Sequence, residues 1–262
     1  MLNIDFMKYF YPDVDDKLIV SDIKQKEPFP GYWDRSENFA LSGIISFLKE
    51  HPQQRFIDVG AGEGRLTIAF TPFFREIIFL EPDILRLEKA KNNFFGAGIK
   101  NIQIKQTTLQ NSGIESNSCD LILISHVIQH VETSTLSEIF SMAYKILKKD
   151  GKIIVTTSHS RRINDYYSKV SMKAGKIKSK IISENDFNNL VMNEDGVLPV
   201  HNFTIKSLKN YLSNFVIEKT LVFHEMFPKT VFDKWFNRDE IINWPFFRHI
   251  TGRDVYVLAR KN

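Results

Sequence analysis

From residue 55 to residue 157, short apolar runs alternate with amphipathic stretches of helical period. This alternation constrains the fold more than any other feature, because strands that are apolar on both sides need a parallel sheet covered on both faces. The reading predicts strands at 55–59 (RFIDV), 76–80 (EIIFL), 101–106, 120–125 (DLILIS) and 152–157 (KIIVTT). Between them it predicts helices at 64–74, where Pro72 permits an early end, at 83–95, with Leu85, Leu87, Ala90 and Phe94 available for packing, and at 134–147, closed by Lys-Lys-Asp-Gly. The tail reads as a helix from an N-cap at Thr204 to Asn214, then strands at 216–223 and 254–260.

A chain of 262 residues, 43% hydrophobic and with 22 phenylalanines, suits one α/β core with additions. Three segments fall outside the alternating plan: 1–50, expected as an N-terminal helical cap, and two insertions at 161–200 and 225–252 within a domain spanning 51–262. The net charge of +4 arises from 35 basic and 31 acidic residues mixed along the chain, which argues against a dedicated nucleic-acid binder. A single cysteine, Cys119, excludes an internal disulfide and a cysteine zinc cluster, so no metal is expected. The N-terminus lacks a basic start followed by an apolar run, and no uncharged apolar stretch reaches about 18 residues. The expectation is a cytoplasmic chain without a membrane partner.

The first strand runs into Asp58-Val59-Gly60-Ala61-Gly62-Glu63-Gly64-Arg65, where glycines let the backbone turn tightly and approach a ligand closely. Dinucleotide enzymes use a related turn to hold pyrophosphate. Here, however, Asp58 would repel a pyrophosphate and suits the ammonium of a methionine moiety, while Arg65 can pair with its carboxylate. Glu81, after the second strand, is placed to accept from two ribose hydroxyls, with Pro82 beside it; NAD enzymes share this device. Thr108, Leu109 and Gln110 follow the third strand at the adenine position, and Ser125 and His126 follow the fourth at the pocket floor. The cofactor expected is S-adenosylmethionine.

The order FIDVGAGEGR, FLEPD, CDLILISHVIQHV, LKKDGKIIVTT resembles the class I S-adenosylmethionine-dependent methyltransferase family from about Arg55 to Thr157, and more loosely beyond. The resemblance implies a Rossmann-like α/β sheet of seven strands in the order 3-2-1-4-5-7-6, the last antiparallel, with the donor above the carboxyl ends of strands one to four. A narrower resemblance, carried by GAGEGRLTIAFTPFFREIIFLEPD and TLQNSGIESNSCDLILISHVIQHVETSTLSEIF, is to protein N-terminal α-amine methyltransferases. In that family the residues matching Arg65, Glu81 and Leu109-Gln110 contact the cofactor, and the catalytic asparagine falls on Ser158.

A sulfonium methyl is already activated, so a protein base matters only where the acceptor arrives protonated. The candidates are His126, four residues before His130, then Ser158 and His159 after strand five, and His201 before the late helix. Each has an ordinary packing role as its alternative. Seven basic residues between Arg161 and Lys180, against Asp165 alone, suggest either a solvated helix face or a surface for an anionic substrate. The aromatic 225–252 link and Phe29-Pro30-Gly31-Tyr32-Trp33 suggest core packing, a pocket wall or a contact with a second copy. The expected reaction is methyl transfer to a small or medium-sized metabolite; the alternatives are a peptide N-terminus as acceptor, a non-catalytic cofactor-binding regulator and, more distantly, an NAD-dependent oxidoreductase.

Overall fold

The computed structural model describes residues 32–173, 176–190, 197–225 and 252–262. The 225–252 link beyond Glu225, residues 1–31 and the Trp33 side chain lie outside them. The chain begins with α1 (Tyr32–Glu50), then β1 (Gln53–Val59), α2 (Arg65–Phe70), β2 (Phe74–Leu80), α3 (Ile84–Gly96), β3 (Ile102–Lys105) and β4 (Cys119–Ser125). It continues through α4 (Leu136–Ile146), β5 (Leu147–Ser158), β6 (Tyr166–Lys173), β7 (Lys176–Ile182), α5 (Glu184–Asn188), β8 (Val197–Asn202), α6 (Ile205–Tyr211), β9 (Phe215–Glu225) and β10 (Gly252–Lys261).

Seven strands form the main sheet in the order β3-β2-β1-β4-β5-β10-β9. β1 pairs in parallel with β2 and β4, and β4 with β5, whereas β10 lies antiparallel to both β5 and β9. Alternate residues explain the layers. Ile57, Val59, Ile122, Ile124, Ile153 and Val155 face α4 and α6, while Phe56, Leu121, Leu123 and Ile154 face α1 and α2. Both faces are therefore dry, as the unbroken apolar runs require.

Local chemistry accounts for most element ends. Pro72 opens a single 3-10 turn after Phe70, so α2 is shorter than expected and β2 starts at Phe74. Asp83 caps α3 by accepting from the N–H groups of Leu85 and Arg86, and Thr204 caps α6 by accepting from that of Ser207. The Lys-Lys-Asp-Gly stretch does not close a helix. It forms an irregularity inside β5, where pairing jumps from Cys119↔Leu147 to Leu121↔Lys152 around Asp150 at φ 63°.

The insertion after β5 departs from the expected helix face. It forms a second sheet, β7-β6-β8, in which Lys169 faces Lys180 and Lys173 faces Lys176 across the β6–β7 ribbon. Ser168 and Val170 are buried on one face of β6, and Lys169 lies on the other. A parallel bridge between His159 and Phe203 fixes this sheet beside the carboxyl end of β5. Among the described residues no helix is long and apolar enough to cross a membrane.

Candidate cofactor and acceptor site

The chain turns back on itself immediately after β1. Ala61 N donates to Leu80 O at 3.1 Å, Gly64 N to Ala61 O at 3.0 Å, and Gly62 N to Glu81 Oε2 at 2.7 Å, so the turn is tied to the end of β2. Gly60 has φ +59°, and a Cβ there would lie 2.6 Å from Val127 Cγ2; one on Gly64, at φ +83°, would lie 2.4 Å from the Phe94 ring. These two glycines are required by packing as well as by backbone conformation. At Gly62 a Cβ would meet nothing within 4 Å, which makes it the glycine that borders open space.

Two buried carboxylates flank the turn. Asp58 is 2% exposed and accepts from Thr67 Oγ1 at 2.6 Å; among the described residues it has no ion-pair partner. Burial pushes its carboxyl up to about 7, with the neighbouring Glu81 charge adding to the effect and the Thr67 hydroxyl and Arg65 opposing it. Glu81, 5% exposed, gives one oxygen to Gly62 N and the other to Asp83 N at 2.9 Å, and burial raises its pKa as well. Each Glu81 oxygen retains a second lone pair for a hydroxyl. Arg65 forms a bidentate pair with Glu37 of α1, which is 4% exposed. Neither Glu37 nor Thr67 could be singled out from sequence, since their roles depend on contacts that residue spacing does not reveal.

Farther along the edge, Pro82 is exposed and its carbonyl accepts from Gln106. Thr108 is exposed and Gln110 half-buried, while the Leu109 side chain belongs to the core. Ser125 Oγ lies 2.8 Å from Thr156 Oγ1. His126 adopts φ 56°, uncommon for a residue with a Cβ, and its N–H donates to Thr156 O at 2.8 Å.

The candidate acceptor-side residues separate into three groups. His126, His130 and Ser158 meet through Gln129, a buried residue between the two histidines that sequence reasoning passed over. The His159 backbone N–H donates to Arg253 O, and its Nδ1 lies 3.2 Å from Gly252 O. His201 is buried elsewhere: its Nε2 lies 3.0 Å from Asp165 Oδ2 and its ring stacks on Phe203 at 3.7 Å, with Tyr167 at 4.5 Å. Asp165 also accepts from Thr204 N and Oγ1, so this group anchors the start of α6. No cluster of potential metal ligands occurs among the described residues.

These residues fit the amino-acid and ribose portions of S-adenosylmethionine. A desolvated carboxylate with no ion-pair partner among the described residues suits an ammonium, and a buried acid with spare acceptor capacity suits a diol; a pyrophosphate would face two buried anions.

Comparison with known proteins agrees. Residues 57–155 match the methyltransferase domain family. The chain is similar to the uncharacterized methyltransferase YcgJ of Bacillus subtilis, 24% identical over 48% of this chain and 49% of that protein. It is also similar to the mitochondrial ubiquinone biosynthesis O-methyltransferase of Mus musculus, 26% identical over 42% of this chain and 30% of that protein. The matches thus span about half the length of these curated relatives, or less. In fold, a SAM-dependent methyltransferase from Leishmania major superposes with a TM-score of 0.56 at 18% identity, covering 86% of this chain and 71% of that one. One from Mesorhizobium loti gives 0.54 at 18% identity over 85% and 98%. Sheet order, glycine turn and the family match over residues 57–155 converge on a methyltransferase domain with the seven-stranded Rossmann-like fold.

Proposed function

We propose that this protein transfers the methyl group of S-adenosylmethionine to a small or medium-sized metabolite. The supporting observation is the buried, cation-deficient Asp58 beside the Gly62–Glu81 contact, which matches the donor's amino acid and ribose. In this reading Asp58 holds the ammonium, Glu81 the ribose hydroxyls, Gly60, Ala61 and Gly62 the backbone wall, and Leu109 and Gln110 the adenine side. Arg65, held by its bidentate pair with Glu37, meets the donor's carboxylate in this reading. Bound S-adenosylmethionine supplies a methyl on a sulfonium, a centre already primed to leave.

The metabolite reading rests on the β6–β8 sheet, bridged to β5 at His159 and touching His130 through Pro199, which builds a wall where acceptors of this fold sit. Ser158, at the position of the peptide enzymes' asparagine, gives both its N–H and its hydroxyl to Gln129, which weighs against a peptide acceptor. The test offers purified protein and labelled donor first short peptides and then a metabolite extract. Label in small molecules is expected; label on peptides alone would replace this reading with N-terminal methylation. Tight retention of S-adenosylhomocysteine without donor consumption in either screen would instead identify a regulator.

A further inference from the structure

The β6–β7 ribbon carries five lysines and no acid between Tyr166 and Ile182, more positive charge than the whole chain's net +4. Strand register sorts them. Lys169 of β6 stands opposite Lys180 of β7, and Ser171 opposite Lys178, so the two-residue alternation of strands puts Lys169, Lys176, Lys178 and Lys180 on one face. Ser168 and Val170 are buried on the other. Successive β7 lysines are about 7 Å apart along the strand, with β6 about 5 Å to the side. Lys176, Lys178 and Lys180 are exposed and Lys169 is half-buried, and none of the four has an ion-pair partner among the described residues.

Two ordinary roles do not account for this face. Lysines on an edge strand deter pairing with another chain, which would serve for β7, but Lys169 lies on β6, the middle strand of three. Like charges directly opposite one another, as Lys169 and Lys180 are, destabilise a ribbon rather than support it. An anionic surface laid against the face relieves that repulsion. Acids begin only at Glu184 on α5, which packs over the Tyr167 end of the face, where Phe187 meets Tyr167 and His201.

The residue types present choose among anionic partners. Nucleic acid is held by aromatic platforms under its bases and by the forks of arginines. Between Tyr166 and Ile182 there is no arginine. Tyr167, on the lysine face, is packed against Phe187 and His201 at centroid distances of 5.1 and 4.5 Å, and Tyr166 alternates to the other face beneath Arg162. What remains is a grid of compact ammonium charges on flexible stems, suited to a diffuse negative potential rather than to a shaped group. We infer that the lysine face of the β6–β7 ribbon docks on an anionic phospholipid surface. The contact is peripheral and requires no membrane-crossing helix; it goes beyond the proposed methyl transfer and does not depend on it.

The test sediments the full chain with vesicles of phosphatidylcholine alone, or of phosphatidylcholine with about 30% phosphatidylserine, at millimolar lipid. Binding to the second alone is expected, with each lysine contributing about fivefold. Raising salt from about 0.1 to about 1 M, which shortens the screening length from about 10 to about 3 Å, should abolish it. Lys178→Gln with Lys180→Gln should weaken binding about 25-fold. Lys206→Gln with Lys209→Gln, the same charge change on α6, should weaken it by no more than about twofold. Both pairs are exposed, so both variants should fold and melt as wild type does. Equal partition onto the two vesicles, an unaffected Lys178/Lys180 variant, or equal losses in the two variants would overturn the inference. So would an oligonucleotide bound more tightly than the phosphatidylserine vesicles through the same lysines, which would make this a nucleic-acid surface. Vesicle binding needs neither donor nor acceptor, so its failure and that of the methyltransferase reading are told apart.

Discussion

In the proposed reading, where Asp58 holds the donor's ammonium, donor binding is coupled to pH through this carboxyl. Burial raises its carboxyl from 3.8 to about 7, equivalent to about 4 kcal/mol at about 1.4 kcal/mol per tenfold change in equilibrium. Because the folded value lies above the unfolded one, the stability associated with this group is complete below 3.8 and is lost as pH rises through about 7. The empty protein at pH 8 therefore holds an unfavourable buried anion, which the donor's ammonium neutralises. Affinity for S-adenosylhomocysteine, which has the same amino-acid end, should be level above pH 7.5, about tenfold weaker at pH 6 and about a hundredfold weaker at pH 5. Asp58→Asn should remove this dependence, weaken binding at pH 8 by roughly 1.5–3 kcal/mol, and stabilise the empty protein there by up to about 4 kcal/mol, several degrees in Tm. Titration calorimetry across pH and thermal melts with and without ligand measure both effects. A flat affinity profile from pH 5 to 8, or an Asn variant less stable than wild type at pH 8, would show that this carboxylate is not the ammonium site.

Three further outcomes follow from the packing. Gly64→Ala should cost about 1–3 kcal/mol in urea unfolding, since its Cβ would strike the Phe94 ring, whereas Gly62→Ala, facing open space, should cost less. Arg65→Met should destabilise by about 3 kcal/mol by removing the bidentate partner of buried Glu37, and Glu37→Gln should recover part of the loss in the double variant, as a double-mutant cycle would show. His130 has a folded pKa below its unfolded one, so its share of stability is present above 6.5 and is lost as pH falls towards about 4; urea midpoints of His130→Asn should be flatter across that window than wild type.

Periodicity made the sheet legible because each central strand is apolar on both sides and each flanking helix on one. The glycine turn from Asp58 to Arg65 was legible for a different reason: it is contiguous, and its glycines announce a tight backbone reversal after the first strand. What escaped the sequence was assembled across distance. Glu37 reaches Arg65 from a helix 28 residues away, and the Gln129 amide is oriented by Ser158, 29 residues on. The lysine stretch misled because its charge spacing carries no helical or strand period strong enough to choose between them. Only the pairing of β6 with both β7 and β8 decides that it is extended.

The join between the small sheet and the large one also bears on how reactants come and go. Phe203 N donates to Ser158 O at 2.9 Å, Ser160 N to Phe203 O at 2.7 Å, and the His130 side chain reaches Pro199 O, so these bonds tie the small sheet to the carboxyl end of β5 and the turn after β4. A flap hinged at this seam would have to sever those bonds on every cycle. The small sheet is therefore fixed masonry, and in the proposed reading reactants have to come and go by another side.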